Sequence, residues 1–65
     1  MRIVAYTPLG TFTSKESEST EENLAQAQRL LSRVSDMHSF VMETDNGEMY
    51  FPSRMIKRSL FNLVK

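Results

Sequence analysis

Apolar residues recur along this chain with two different periods, and the change of period marks where one kind of element gives way to another. Leu24, Ala27, Leu30, Leu31, Val34 and Met37 fall on one stripe about 140° wide at about 100° per residue, and Ala25, Gln28, Arg29, Ser32 and Arg33 lie outside it. That spacing predicts one amphipathic helix with a single buried face. Ser19 and Glu22 stand at the spacing of a capping box, and Glu21 and Glu22 fall in the first turn, where the helix dipole favours acids. From His38 to Phe51 the period drops to two, as in a β-hairpin, and Asn46-Gly47 supplies the pair best suited to a type I′ turn. With those two residues at the tip, Asp45 faces Glu48, Thr44 faces Met49, Glu43 faces Tyr50 and Met42 faces Phe51. Alternation then puts Phe40, Met42, Thr44, Met49 and Phe51 on one face, the core, and Val41, Glu43, Asp45, Glu48 and Tyr50 on the other.

The flanking segments read less uniformly. Arg2 to Thr7 is a β-branched and aromatic run ending at Pro8, a strand followed by a turn. Thr7-Pro8-Leu9-Gly10 suits a three-residue hairpin loop, with Thr11 to Thr13 as the returning strand. Ser14 to Ser19, rich in Ser, Lys and Glu, reads as a mobile connector. After Pro52, Ser53 to Lys65 fits two descriptions: a helix with Met55, Ile56, Ser59, Leu60 and Leu63 on its stripe, or a short helical turn over Ser53–Lys57 followed by a strand through Leu60–Val64. The second is preferred, because short apolar runs defeat periodicity alone. The expected architecture is α+β: a small, mainly antiparallel sheet of four or five strands with one helix packed on one face, in a single domain over residues 1–65.

Length sharpens the picture. A chain of 65 residues without Cys buries only about 60% of its unfolded surface and has no covalent staple, so self-association as a homodimer is expected. No apolar run approaches the ~18 residues of a membrane span, and Met1–Tyr6 is too short for a signal peptide, which points to a cytoplasmic protein without membrane contact. Net charge is zero but unevenly spread. Residues 16–48 hold all eight acids against Arg29 and Arg33, whereas residues 49–65 hold Arg54, Lys57, Arg58 and Lys65 with no acid. Segregation of this kind can steer a charged partner.

Candidate chemistry is sparse. His38, the only His, sits where the helix should end, and capping the last helical carbonyls accounts for it. Its neighbour Ser39 would point to the opposite strand face, so the two make no nucleophile and base pair. Asp45-Asn46-Gly47-Glu48 lacks the spaced ligands of a calcium loop, and Glu43 and Asp45 lie near a solvated hairpin tip. There is no phosphate loop, Cys/His cluster or nucleophile motif. The expectation is a protein that is not an enzyme and needs no cofactor or metal.

The order Ile3-Val4-x-x-Thr7-x-x-Gly10, a Ser/Glu-rich entry to one helix, then Asn46-Gly47-x-x-Tyr50-x-Pro52-x-x-x-Ile56-x-x-Ser59 resembles small orphan proteins encoded by bacteriophages and prophages. The matches span most of the chain and are turn and core positions. The resemblance implies a small β-rich domain with one helix, from early phage genes of unassigned role, some of which blunt host defence.

A single helix covers one sheet face, which leaves Val4, Tyr6, Val41 and Tyr50 outside. Beside Arg54, Lys57 and Arg58, these residues suit a surface for a partner. Three readings follow, in order of preference: a small interaction protein, a homodimer acting on a host protein; a homodimeric sponge in which Tyr6 and Tyr50 stack a nucleotide base while Arg54, Lys57 and Arg58 hold phosphates; and weak nucleic-acid binding through the basic tail, which the acidic middle disfavours.

Overall fold

Two turns of one form, Thr-x-x-Gly, set the register of most of the molecule. The computed structural model describes residues 1–65. In it β1 (Arg2–Thr7) and β2 (Gly10–Thr13) are joined through Pro8-Leu9, and β3 (Ser39–Thr44) and β4 (Gly47–Pro52) through Asp45-Asn46. In the first turn the Thr7 hydroxyl donates to the Gly10 carbonyl at 2.8 Å and accepts from the Leu9 N–H at 3.1 Å. Thr44 repeats both bonds, to the Gly47 carbonyl at 2.9 Å and from the Asn46 N–H at 3.2 Å. Each turn ends on a glycine at positive φ, +134° at Gly10 and +129° at Gly47. The first loop therefore has two residues where three were expected.

The central hairpin is also displaced by one residue on each strand from the expected register. Asn46 does not take positive φ, so a type I′ turn is not formed. Instead Asp45-Asn46 is the tip, and Phe40 faces Phe51, Val41 faces Tyr50, Met42 faces Met49 and Glu43 faces Glu48. Moving both strands by one residue exchanges partners without exchanging faces. Phe40, Met42 and Phe51 are accordingly buried, Met49 is half-buried, and Val41 and Tyr50 look outward.

The remaining elements are α1 (Glu21–Arg33), continued by a 3-10 turn over Val34–Asp36, α2 (Ser53–Ile56) and β5 (Leu60–Val64). The five antiparallel strands form two sheets, β2-β1-β5 and β3-β4. The turn-then-strand reading of residues 53–64 thus matches the structure. Helix α1 is capped by Thr20, whose hydroxyl accepts from the Asn23 N–H at 3.1 Å, one residue later than the expected Ser19 box. Its stripe is as read: Ala27 and Val34 are buried, and Leu24, Leu30, Leu31 and Met37 half-buried. The Met37 N–H closes the helix end onto the Val34 carbonyl at 3.1 Å, and the ring of His38, exposed, caps nothing.

The Ser14–Ser19 connector is held, where mobility was expected. Ser14 N–H bonds the Ile3 carbonyl at 2.8 Å, Lys15 N–H the Glu43 carbonyl at 2.8 Å, and Ser17 N–H the Met1 carbonyl at 3.0 Å. The chain leaving β2 thereby bridges the two sheets. Between them lies a core of Ala5, Val34, Phe40, Met42, Phe51 and Ile56, backed by Ile3, Phe12, Leu30 and Phe61. Phe61 meets Phe40 edge-on at 5.3 Å between ring centroids and Phe51 at 5.8 Å.

Only seven residues of 65 are buried, and a domain of this length is stable by about 3–10 kcal/mol, so single core losses should be decisive. Phe51→Ala should cost about 3–5 kcal/mol and leave little cooperative transition in urea. Gly47→Ala meets open space, so its cost should be the backbone's alone, about 1–3 kcal/mol, read as a lower urea midpoint with the slope unchanged.

Candidate binding site

Each sheet turns one face away from the core, and the candidate residues divide between them. Tyr6 lies on the outer face of β2-β1-β5, 46% exposed, with Leu60 and Thr11 opposite it on the neighbouring strands. Val4 shares that face and is half-buried. Val41 and Tyr50 are a directly opposed pair on the outer face of the hairpin, 44% and 70% exposed. Tyr6 and Tyr50 thus belong to different sheets, and no cleft of one chain takes in both.

What the structure does bring together centres on Tyr50. An open cleft of about 220 Å³ is lined by Thr7, Leu9, Phe12, Met49, Tyr50, Phe51, Pro52 and Met55. It forms where the Thr7–Gly10 turn approaches β4. Leu9, at the tip of that turn, is 76% exposed and makes one rim, and Tyr50 makes the other. Met55 also lines a separate groove between Arg54 and Arg58. Those two guanidinium groups and Lys57 are exposed, and no acid lies within ion-pair distance of any of them; the ion pairs of the chain are Arg2 with Glu16 at 3.2 Å and Lys15 with Glu43 at 4.0 Å. Lys57 stands in the turn after α2, outside both grooves.

The backbone of β4 adds to the site. Lys15 N–H takes the Glu43 carbonyl from outside the hairpin, and hydrogen-bonded and non-bonded pairs alternate along an antiparallel ladder. Glu43–Glu48, Val41–Tyr50 and Ser39–Pro52 are therefore the non-bonded pairs. The N–H and C=O of Tyr50 point away from β3 to the open edge, and Pro52, which has no N–H, falls where none is needed.

Leu9 and Met55 were not among the residues singled out from sequence. An apolar residue at the tip of a tight turn cannot reach its own hairpin's core, which is the signal Leu9 carried. Met55 sits one residue from buried Ile56 on a helix of a single turn, and nothing in the pattern separates it from core.

Glu43 and Glu48 are directly opposed like charges, an unfavourable arrangement. The Tyr50 hydroxyl donates to Glu48 Oε1 at 3.1 Å, and Lys15 stands beside Glu43. That hydrogen bond, then the Glu48 charge and slight desolvation, raise the Tyr50 phenol above its ordinary value of 10.0. No helix of the molecule is long and apolar enough to cross a membrane. Comparison with family models, with curated proteins and with solved structures finds no match to this chain.

A raised folded-state phenol stabilises the fold below the unfolded value and loses that contribution as pH climbs through the folded one, here in the range above 10.0. In a Tyr6→Phe background, which leaves one phenol, Glu48→Ala should lower the midpoint of the phenolate absorbance titration. An unchanged midpoint would show that Glu48 does not hold the Tyr50 proton.

Proposed function

We propose that this chain acts by binding, without turnover, as a small interaction protein whose contact site is the cleft between the Thr7–Gly10 turn and β4. The observation that carries the reading is the juxtaposition at Met55, which lines both the apolar cleft of Leu9 and Tyr50 and the groove of Arg54 and Arg58, two cations with no acidic partner of their own. Apolar area supplies affinity, and unpaired cations orient an incoming acidic group. The open N–H and C=O of Tyr50 would let an extended segment of the partner continue the sheet. The partner that this chemistry suits is a protein segment with one apolar anchor and acidic residues beside it. In the phage setting that the sequence resemblance suggests, it would be a host protein, including one of a defence system, met in the host cytoplasm. The chain would work as a homodimer, since so small a core leaves large side chains outside.

A second reading, sequestration of a nucleotide, draws on the same place: Tyr50 could stack a base and Arg54 and Arg58 hold its phosphates. Tyr6 would take part only from a second protomer.

The test compares the chain with Tyr50→Ala and Arg54→Glu in affinity capture from a bacterial host lysate, alongside thermal unfolding. Both substitutions lie at exposed positions and should change stability by no more than about 0.5 kcal/mol, yet each should remove the same captured protein. Capture that survives both variants would overturn the reading. A thermal-shift panel of mono-, di- and cyclic nucleotides decides the second reading, since a ligand at about 100 times its dissociation constant adds about 2.7 kcal/mol; no shift with any member would exclude it.

A further inference from the structure

The outer edge of β5 carries backbone groups that have no partner within the chain. Ile3 exchanges both of its backbone bonds with Ser14, its N–H to Ser14 Oγ at 2.8 Å and its carbonyl from Ser14 N–H at 2.8 Å. Ile3, Ala5 and Thr7 therefore face β2, and by the alternation of an antiparallel ladder Arg2, Val4 and Tyr6 face β5. Their partners Val64, Asn62 and Leu60 are bonded to β1. Phe61 and Leu63 consequently turn their N–H and C=O outward, and nothing in the chain bonds them. Of the remaining edges, β3 has its Glu43 carbonyl taken by Lys15, β4 keeps the Tyr50 groups open but ends in Pro52, and β2 is a short strand of four residues, Gly10–Thr13. β5 has no bulge, no Pro and no charge within its five residues, the devices that normally prevent strand pairing.

We infer that two chains associate by antiparallel pairing of β5 with β5 of the second copy, around a two-fold axis at Asn62. Sequence and register select this axis. Centred on Asn62, Phe61 pairs with Leu63 of the other copy and the four outward groups of each strand are all used. On the outer face Leu60 then lies against Val64 of the other copy at both ends, and these are exposed apolar residues in the single chain, 74% and 44%. Centring one residue to either side sets an apolar side chain against Asn62 instead. Lys65 falls opposite Ser59, so no like charges meet. The product is one six-stranded sheet, with Tyr6, Leu60 and the second copy's Val64 in a continuous row.

This chain exposes 4813 Å², more than the ~4,250 Å² usual for a monomer of 7.5 kDa, and Leu60 and Val64 on β5 are among its exposed apolar residues. The pairing rests on the homodimer part of the proposed function but shares no residue with the cleft at Tyr50.

Sedimentation over a concentration series, from about 10 μM to about 1 mM, should show a species of twice the 7.5 kDa chain mass. Combining Leu60→Lys with Val64→Lys should weaken association roughly tenfold or more while circular dichroism stays unchanged, and Tyr50→Ala should leave it intact. In a dimer of mixed isotope labelling, Leu60 methyls should show contacts to Val64 methyls of the other copy, and the Phe61 and Leu63 amides should exchange slowly. A strictly monomeric chain at the highest concentration, equal association of the double-Lys variant, or fast exchange at Phe61 and Leu63 within the dimer would each overturn the pairing. Loss of association in Tyr50→Ala would overturn it too, by placing the interface at the cleft. The cleft reading fails independently, on capture.

Discussion

Three phenylalanine rings join what would otherwise be two separate pieces of sheet. Phe40 and Phe51 come from the hairpin and Phe61 from the terminal strand, and each ring lies within 5.3–5.8 Å of the other two, tilted or edge-on. A two-stranded hairpin is marginal by itself in water. Here it gains its stability by burying Phe40, Met42 and Phe51 against the inner face of β2-β1-β5, in one core with Val34 and Ile56. Aromatic pairs in these geometries contribute about 0.5–1.5 kcal/mol beyond their buried area, a sizeable share in so small a domain.

That arrangement decides which surface is left for function. Strand alternation means that each ring turned inward sets its neighbour outward, so burying Phe40 and Phe51 exposes Val41 and Tyr50, and turning Phe61 inward exposes Leu60 and Asn62. The small core cannot recruit them. Apart from Leu9 at a turn tip, the exposed apolar residues are thus the other half of the same pattern: Val41 and Tyr50 on the outer face of the hairpin, and Tyr6, Leu60 and Val64 on that of β2-β1-β5.

The face of each residue in the central hairpin was legible in the sequence because it depends only on parity, and parity survived the shift of turn from Asn46-Gly47 to Asp45-Asn46. The exact partners were not, since Thr44-Asp45-Asn46-Gly47 can close on either pair and the Thr44 hydroxyl bonds that select one are formed only in the folded turn. Helix α1 was legible from its stripe, and its cap slipped by one residue because Ser19 and Thr20 offer the same hydroxyl. The fixed path of the connector is not legible for a related reason: its Ser, Lys and Glu side chains are solvated, while the bonds that fix it are made by backbone, which composition does not report. Division of the strands into two sheets, and with it the separation of Tyr6 from Tyr50, is a matter of long-range pairing that no local pattern encodes. Leu9 joins the cleft for the same reason.

A double-mutant cycle in urea between Phe40→Leu and Phe61→Leu measures most directly whether the two sheets depend on this contact. The ring contact predicts a coupling of about 0.5–1.5 kcal/mol between residues that are on different sheets and 21 positions apart in sequence. Strictly additive losses, with no coupling beyond error, would contradict it.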